Sequence, residues 1–252
     1  MKICLAGNMA SCVLDYIDNL QKKELNILQS FIDYKNCTEA NERIFNIIKN
    51  KSKFFLFDSG AFSMLYGKKK KFDIESYVDK YIDFVKKFEI QNYIELDLYN
   101  IIGIDKTETI RKKLEKKIGY KTIPVFHKKC GLDYYKNLTK EYDYIAIGGI
   151  AIAGRNSFNV SVFSTLNKIA RDNNCKVHGL GYTAMKDLEK TGFYSVDSTS
   201  WLSPLRYGGS IDVFNGTTIK KIKPNKKSRI KKKIRVHQFS EWIKFQKYAE
   251  RY

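Results

Sequence analysis

Polar side chains that can exchange protons or bind metal recur where short apolar segments of the sequence end. Asp58, Asp97, His127 and Asp197 each lie at such an end. Carboxylates and imidazoles act as general acids, bases and metal ligands, although any one Asp could instead be a helix N-cap or a turn residue. No HxH or HxxxH pair supports a metal site at Asp58, Asp97 and His127, so none is expected.

Eight apolar segments predict the strands that would position these side chains. They cover residues 2–7, 54–60, 93–97, 122–127, 144–149, 176–181, 193–198 and 210–216. Near-continuous apolar strands are typical of a parallel sheet that is buried on both faces. The spacing between them predicts amphipathic helices, the clearest of which follows the N-cap residue Asp73. Other helices are predicted over residues 38–50, 107–118, 160–170 and 183–190, and a last one from Ser240.

Eight strands alternating with helices over 252 residues predict a (β/α)8 TIM-type barrel. Its closing units would be somewhat degenerate, because the connections after Asp197 are short for full helices. A doubly wound open sheet is the alternative. In a parallel barrel the chemistry lies at the carboxyl ends of the strands, so the polar strand ends would share one mouth with Gly148, Gly149 and His178. We expect the barrel over residues 1–217, with a basic segment and a C-terminal helix over 218–252 packed on it.

The chain is strongly basic, with 46 Lys and Arg against 27 Asp and Glu and a net charge of +19. This excess favours a polyanionic partner, nucleic acid first. Residues 220–235 hold ten basic residues and no acid, and without them the net charge would be +9. A second run, residues 68–71, is as well explained by a solvated loop. Phosphate contacts are predicted for Lys220, Lys221, Lys223, Lys226, Lys227, Arg229, Lys231, Lys232, Lys233 and Arg235.

The remaining composition indicates a cytoplasmic protein. No apolar run approaches the roughly 18 residues of a membrane span, and the first residues do not form a secretory signal. Five dispersed cysteines without CxxC spacing indicate free thiols in a reducing compartment.

Four segments resemble the tRNA-guanine transglycosylase family. DSGAFS (58–63) is similar to its Asp-Ser-Gly-Gly-Phe/Tyr-Gln motif, and IGGIA (147–151) to its Gly-Gly-Leu-Ala segment. VHGLG (177–181) resembles Met-Gly-Val-Gly, and SVDST (195–199) takes the place of the strand with the nucleophile. The small phage-type branch, which inserts 7-deazaguanines into DNA, is the closer match over roughly residues 54–201. The family's Cys/His zinc subdomain is missing and Ser63 replaces a Gln, which favours DNA over tRNA as the substrate.

The resemblance implies a pentosyltransferase that replaces guanine in DNA by a 7-deazaguanine such as preQ0, without a cofactor and without zinc. Asp197 would be the nucleophile of a covalent glycosyl-enzyme, as in retaining glycosidases. Asp58 would protonate the departing guanine and then deprotonate the incoming base. The target nucleotide must be flipped out or already unpaired.

The resemblance also implies a base-binding pocket around these two carboxylates. Asp97 would accept hydrogen bonds from the guanine N1–H and amine, His127 would contact the carbonyl edge, and Phe62 and His178 would sandwich the ring. The other base-binding residues would be Ser59, Gly60, Gly148 and Gly149. Two alternatives stay open, the same reaction on tRNA and a non-catalytic barrel that only binds nucleic acid.

Overall fold

A parallel sheet forms the centre of the fold. The computed structural model describes residues 1–7, 22–36, 38–61, 73–150, 159–182, 188–223 and 231–252. Within these ranges seven strands pair in the order β3-β2-β1-β7-β6-β5-β4, all parallel. They are β1 (Lys2–Ala6), β2 (Asn26–Ser30), β3 (Phe54–Asp58), β4 (Val125–Phe126), β5 (Tyr144–Ile147), β6 (Lys176–Gly179) and β7 (Ser195–Ser198).

Helices follow most strands and cover the sheet. They are α1 (Glu39–Lys51), α2 (Ile74–Lys87), α3 (Tyr99–Ile102), α4 (Ile104–Ile118), α5 (Leu132–Glu141), α6 (Val160–Asp172), α7 (Ser203–Tyr207) and α8 (Lys231–Ala249). Asp73 caps α2 as predicted, because its carboxylate accepts the Ser76 N–H at 3.1 Å. The apolar face of α2 packs on an aromatic cluster around Phe31, Phe45 and Phe57. The predicted parallel α/β architecture is confirmed, whereas full closure into eight strands stays a prediction.

Two strand predictions need correction. The sequence pattern missed β2, because the polar residues Asn26, Gln29 and Ser30 interrupt its apolar run. Gln29 is buried, but its side chain is fully hydrogen-bonded. The amide nitrogen of Gln29 donates to the Gly7 carbonyl at 2.9 Å, and the amide oxygen accepts from Tyr34 Oη at 2.6 Å. The segment predicted over 210–216 is not part of the parallel sheet.

That segment instead forms half of a separate hairpin. β8 (Ile211–Phe214) pairs antiparallel with β9 (Ile219–Ile222). The Asn215 carboxamide oxygen accepts the N–H groups of Thr217 and Thr218 and thereby holds the turn. Asn-Gly between two β-prone runs is a strong hairpin signal. The hairpin includes part of the basic run and spans the predicted domain division at 217/218, which itself stays a prediction.

The segment 92–95 lies between the two edge strands of the parallel sheet. Tyr93 pairs with Phe57, next to the end of β3, and Ile94 pairs with Ile123, just before β4, both in parallel. The Ile94 N–H donates to the Phe57 carbonyl at 2.8 Å, and the Glu95 N–H donates to the Ile123 carbonyl at 3.0 Å. One short segment therefore contacts both edges.

The last helix begins earlier than predicted, at Lys231 instead of Ser240. It packs against the sheet through Gln246, whose amide donates to the Asn26 carbonyl at 2.9 Å. It holds the hairpin through Trp242, whose indole N–H donates to Asp212 at 3.0 Å. None of the helices in the described ranges has the length and apolar character needed to cross a membrane.

Candidate active site

Three carboxylates gather at the carboxyl edge of the parallel sheet. Asp58 is the last residue of β3, Asp97 follows the segment 92–95, and Asp197 is the third residue of β7. The charges of Asp197 and Asp97 both act on Asp58, which places the three groups in one electrostatic neighbourhood. Parallel strands present their carboxyl ends at one edge, so the three residues lie at the same edge of the sheet, and their role as one catalytic site stays a prediction.

Asp58 has an unusual environment for a carboxyl group. Its Oδ2 accepts the Gly60 N–H at 3.1 Å and the Ser30 hydroxyl at 3.4 Å. Desolvation, followed by the negative charge of Asp197, raises its pKa from 3.8 to about 7, and the charge of Asp97 adds to this effect. Asp58 as a whole residue is half-buried. Asp58 can therefore both give and take a proton near neutral pH.

Ser59 and Gly60 act through their backbone and hydroxyl groups. The Ser59 hydroxyl donates to the Glu95 carbonyl at 3.0 Å, and the Ser59 backbone carbonyl accepts from Tyr77 Oη at 2.6 Å. Ser59 is buried, so in this structure it fixes the loop after β3, while Gly60 supplies an N–H to Asp58.

Asp97 and His127 form a close pair. The distance between Asp97 Oδ1 and His127 Nε2 is 2.6 Å. One face of the imidazole stacks on Tyr99, with ring centroids 5.1 Å apart. Gly148 lies against the ring as well, because a Cβ there would come within 3.0 Å of His127 Cε1 and 2.6 Å of Val125 Cγ1. The glycine at position 148 therefore makes room for His127, which in turn orients Asp97.

Asp197, His178, Ser195 and Tyr144 are joined by buried hydrogen bonds, and we call these four residues the hydrogen-bond chain. Asp197 Oδ1 accepts the Gly181 N–H at 2.7 Å and lies 3.2 Å from His178 Nε2. His178 Nδ1 lies 2.6 Å from Ser195 Oγ, which lies 2.6 Å from Tyr144 Oη. Ser195 and Asp197 are two residues apart on β7, so both side chains point to the same face of the sheet.

The direction of these hydrogen bonds follows from Asp197, because a carboxylate can only accept. The His178 proton that faces Asp197 Oδ1 therefore lies on Nε2. If Nδ1 accepts, Ser195 donates to it, and the Ser195 oxygen can then accept from the Tyr144 hydroxyl. Two N–H groups thereby stabilise negative charge on Asp197 Oδ1, whereas Oδ2 has no hydrogen-bond partner among the described residues.

The predicted role of His178 in a base sandwich needs correction. Its side chain is fully buried, and both ring nitrogens contact protein groups. No ring face is open to a base in this structure, so His178 is a positioning residue for Asp197. The other predicted sandwich residue, Phe62, lies outside the described residues, as do residues 68–71, Lys226, Lys227, Arg229 and the side chains of Lys231 and Lys232.

A buried ion pair behind the site was missed by the sequence analysis. Arg111 Nε donates to Glu95 Oε2 at 2.6 Å, and Arg111 Nη2 donates to Oε1 at 3.2 Å. Glu95 Oε1 also accepts the Val125 N–H at 2.6 Å. The partners are sixteen residues apart, on a strand end and on α4, so no local pattern could have indicated the pair.

Two further features bear on which ligands the structure can hold. Within the described ranges, no group of three His, Cys, Asp or Glu side chains is arranged to hold a metal ion. A shallow cavity lined by Lys86, Glu89, Gln91, Ile118 and Tyr120 lies where α2 and α4 end, which is the edge of the sheet opposite the carboxylates.

Loss of Ser195 should destabilise the protein by about 1–3 kcal/mol, because Ser195→Ala leaves His178 Nδ1 and the Tyr144 hydroxyl buried without a partner. Tyr144→Phe is the matched control, since it keeps the Ser195–His178 bond and removes only the terminal hydroxyl. Urea unfolding midpoints measure both variants. Equal midpoints for wild type and Ser195→Ala would contradict the hydrogen-bond chain.

Comparison with known proteins supports the fold class only. No protein-family model and no curated protein matches the chain. Among solved structures, the carboxyl transferase domain from Rhizobium etli pyruvate carboxylase with 3-hydroxypyruvate is similar with a TM-score of 0.50 and 13% identity. The same domain with 3-bromopyruvate gives a TM-score of 0.48 at 13% identity. The match covers 98% of this chain and 48% of each neighbour, so the chain spans about half their length. At this identity the likeness concerns the α/β fold and not the activity.

Proposed function

We propose that the protein is a base-exchange transglycosylase that replaces guanine in DNA by a 7-deazaguanine through a covalent bond to Asp197. The observation that carries this proposal is the contrast between two neighbouring carboxylates. Asp197 receives two N–H groups that favour its anion, whereas Asp58 has its pKa raised to about 7 by burial and by the Asp197 charge. Two carboxyl groups with such different environments are suited to a nucleophile and an acid/base, respectively.

The proposed scaffold is an eight-stranded TIM-type barrel with the segment 92–95 as its fourth strand. An open doubly wound sheet would leave its two edge strands apart, whereas here both edges hydrogen-bond to the same short segment. The site then lies at the carboxyl end of the barrel, where enzymes of this architecture carry their chemistry.

In the first half of the reaction, Asp197 attacks C1′ of the target nucleotide. Its Oδ2 is the attacking atom, because Oδ1 is held by Gly181 and His178. As the C1′–O bond forms, the bond from C1′ to the guanine breaks, and the proton of Asp58 passes to the departing base. In the second half, Asp58 takes the N9 proton of the incoming 7-deazaguanine, which attacks C1′ and releases Asp197.

Asp97 is the group we assign to base recognition. Guanine and 7-deazaguanine both present an N1–H and an exocyclic amine, and a carboxylate accepts from both. His127 supports Asp97 through the 2.6 Å contact at Oδ1. A neutral His127 that donates to Asp97 has only an acceptor left at Nδ1, so it does not donate to the base carbonyl. The Gly148 N–H already donates to the Phe126 carbonyl at 2.9 Å. The Gly149 backbone also lies beside His127, so its N–H is the better donor for the base carbonyl.

The test of this function is mass spectrometry of the nucleosides in DNA that has been incubated with the protein and candidate 7-deazaguanine bases. Release of guanine with incorporation of the modified base is expected. A parallel incubation with tRNA separates the two polymers. If a preparation that binds DNA exchanges no base in either polymer, the proposed reaction is refuted. The alternative of a barrel that only binds nucleic acid would then stand.

The basic hairpin should contribute phosphate contacts. Lys220, Lys221 and Lys223 are exposed on or beside β9. Changing all three to Gln should weaken binding to every DNA sequence alike. It should also reduce the slope of log affinity against log salt concentration by about 0.9 for each phosphate that is no longer neutralised. The measurement is fluorescence anisotropy over a range of salt concentrations.

A matched control removes three other charges, with Lys112, Lys116 and Lys117 changed to Gln. These side chains are exposed on α4, on the outer layer of the fold. An equal decrease of slope in both triple variants would show that net charge, and not the hairpin surface, sets DNA affinity.

A further inference from the structure

Several exposed apolar side chains lie on connections that leave the candidate site or near the basic run 220–235. Of the described residues, seven large hydrophobic side chains are exposed, and five of them lie on connections that leave the candidate site or within or next to the basic run 220–235. These five are Ile101, Leu132, Tyr207, Ile222 and Val236. Scattered exposed apolar residues are ordinary, so what these side chains could bind depends on the residues beside them.

Three of the five lie on connections that leave the site itself. Ile101 belongs to α3, directly after Asp97, Leu132 begins α5, shortly after His127, and Tyr207 ends α7, after Asp197. Connections that follow parallel strands begin at the carboxyl edge of the sheet, so these three residues lie on connections that start beside the carboxylates.

Tyr207 is the most prominent of the five. Its side chain is 83% exposed, next to the exposed Arg206. Gly208 and Gly209 follow with φ of +68° and +77°, and a Cβ on either would meet nothing within 4 Å. We call residues 206 and 207 the Arg206–Tyr207 tip. It projects into open space.

The base of this tip is fixed firmly. Trp201 is fully buried, and its indole N–H donates to the Ala6 carbonyl at 2.9 Å, at the end of β1. Pro204 is buried in the first turn of α7. A rigid mount with a projecting aromatic ring is the geometry of a stacking platform.

The charges around the tip identify the class of partner. α7 and the turn before it contact α8, whose exposed Val236 adjoins Arg235. On β9, the exposed Ile222 lies between Lys221 and Lys223. Exposed basic and apolar residues therefore occur together on α7, α8 and the hairpin, and α8 contacts both α7 and the hairpin. Lysine alone would suit any polyanion, but an exposed ring beside an arginine, with lysines on the adjoining elements, suits unpaired nucleic acid, which offers both bases and phosphates.

We propose that the Arg206–Tyr207 tip is a platform on which an unpaired nucleobase beside the target nucleotide stacks, so that the preferred substrate is an unpaired strand and not intact duplex. This inference rests on the proposed function for the position of the target nucleotide. Arg206 contacts the adjoining phosphate. The strand then continues over the basic hairpin.

The test measures binding of a fluorescent single-stranded oligodeoxynucleotide and of the same sequence as a duplex. It is done in an Asp197→Asn background without any 7-deazaguanine, so that no base exchange is needed. Tyr207→Ala should weaken binding of the single strand about tenfold and leave duplex binding nearly unchanged. Tyr207→Phe should bind like the parent. Ile47→Ala, which truncates an exposed apolar side chain on α1, is the matched control and should also bind like the parent.

A series of strands with one abasic position each then locates the stacked base, because the effect of Tyr207→Ala should vanish when that base is missing. Equal single-strand affinity of Tyr207→Ala and the parent would overturn the platform, as would an equal decrease in affinity for single strand and duplex. A polyglutamate peptide is tested as a competitor of the single strand. If Tyr207→Ala weakens binding of the peptide as much as binding of the strand, the partner is an acidic protein and the platform is overturned. Failure of base exchange with this binding pattern intact would refute the proposed function alone.

Discussion

Asp197→Asn should abolish base exchange and the covalent protein–DNA adduct, with a loss of at least about 10⁴-fold in rate, as expected when a nucleophile is removed. Asn keeps an oxygen that can accept from Gly181 and His178, so the hydrogen-bond chain stays intact and only nucleophilicity is lost. The variant should still bind DNA. Denaturing gels of protein incubated with DNA measure the adduct, and peptide mapping assigns it.

Asp197→Ala gives a second comparison, because it also leaves two buried N–H groups without their acceptor. We expect it to be inactive and less stable than Asp197→Asn. An adduct that persists in both variants, or that maps to another residue, would show that a different carboxylate is the nucleophile.

Asp58→Asn should slow adduct formation on guanine DNA by about 10²–10⁴-fold, the usual contribution of a general acid. DNA binding should change little. A target base that leaves without protonation should restore much of the rate, because only proton transfer to the leaving group has been removed. Lack of such rescue, with DNA binding unchanged, would contradict the role of Asp58 as the acid.

The pH dependence gives an independent measure of the same group. If Asp58 is the acid/base, it must be protonated for adduct formation and ionised for release of the adduct, and its pKa is raised to about 7. Single-turnover adduct formation should therefore fall as pH rises through about 7. Release of the adduct by the incoming base should fall as pH drops through a lower value, because Asp197 is then an ester and no longer carries the charge that helps to raise the pKa of Asp58. Both limbs should flatten in Asp58→Asn.

Stability should respond to pH through the same carboxyl group. Its folded pKa is raised, so the folded state holds the proton up to about pH 7, whereas an unfolded Asp loses it near 3.8. Wild type therefore loses stability progressively between these values, because the unfolded state gives up a proton that the folded state keeps. Asp58→Asn should be more stable than wild type at pH 8, and the difference should disappear near pH 4.

Much of the site could be predicted from the sequence because the ends of parallel strands have a recognisable pattern. Asp58, Asp97, His127 and Asp197 follow apolar runs, and the fold brings such ends to one edge. The sequence pattern failed where burial decides the role of a residue. His178 is a stacking group by type, yet its complete burial makes it a support for Asp197.

The other differences between the sequence prediction and the structure each have their own cause. Polar residues hid β2, although tertiary partners such as Gly7 and Tyr34 satisfy Gln29. The Asn215-Gly216 turn was overlooked, and it turns the chain back into an antiparallel hairpin instead of an eighth parallel strand. Long-range pairs such as Glu95 with Arg111 have no signature in the sequence at all.

Glu95 connects the two halves of the pocket in an unexpected way. Its side chain accepts the Val125 N–H, and its backbone carbonyl accepts the Ser59 hydroxyl. The loop that carries Asp58 and the strand that leads to His127 are thus held at a fixed separation by one residue, and Arg111 on α4 holds that residue in turn. The separation of the two halves of the candidate pocket is consequently set in part by an outer helix.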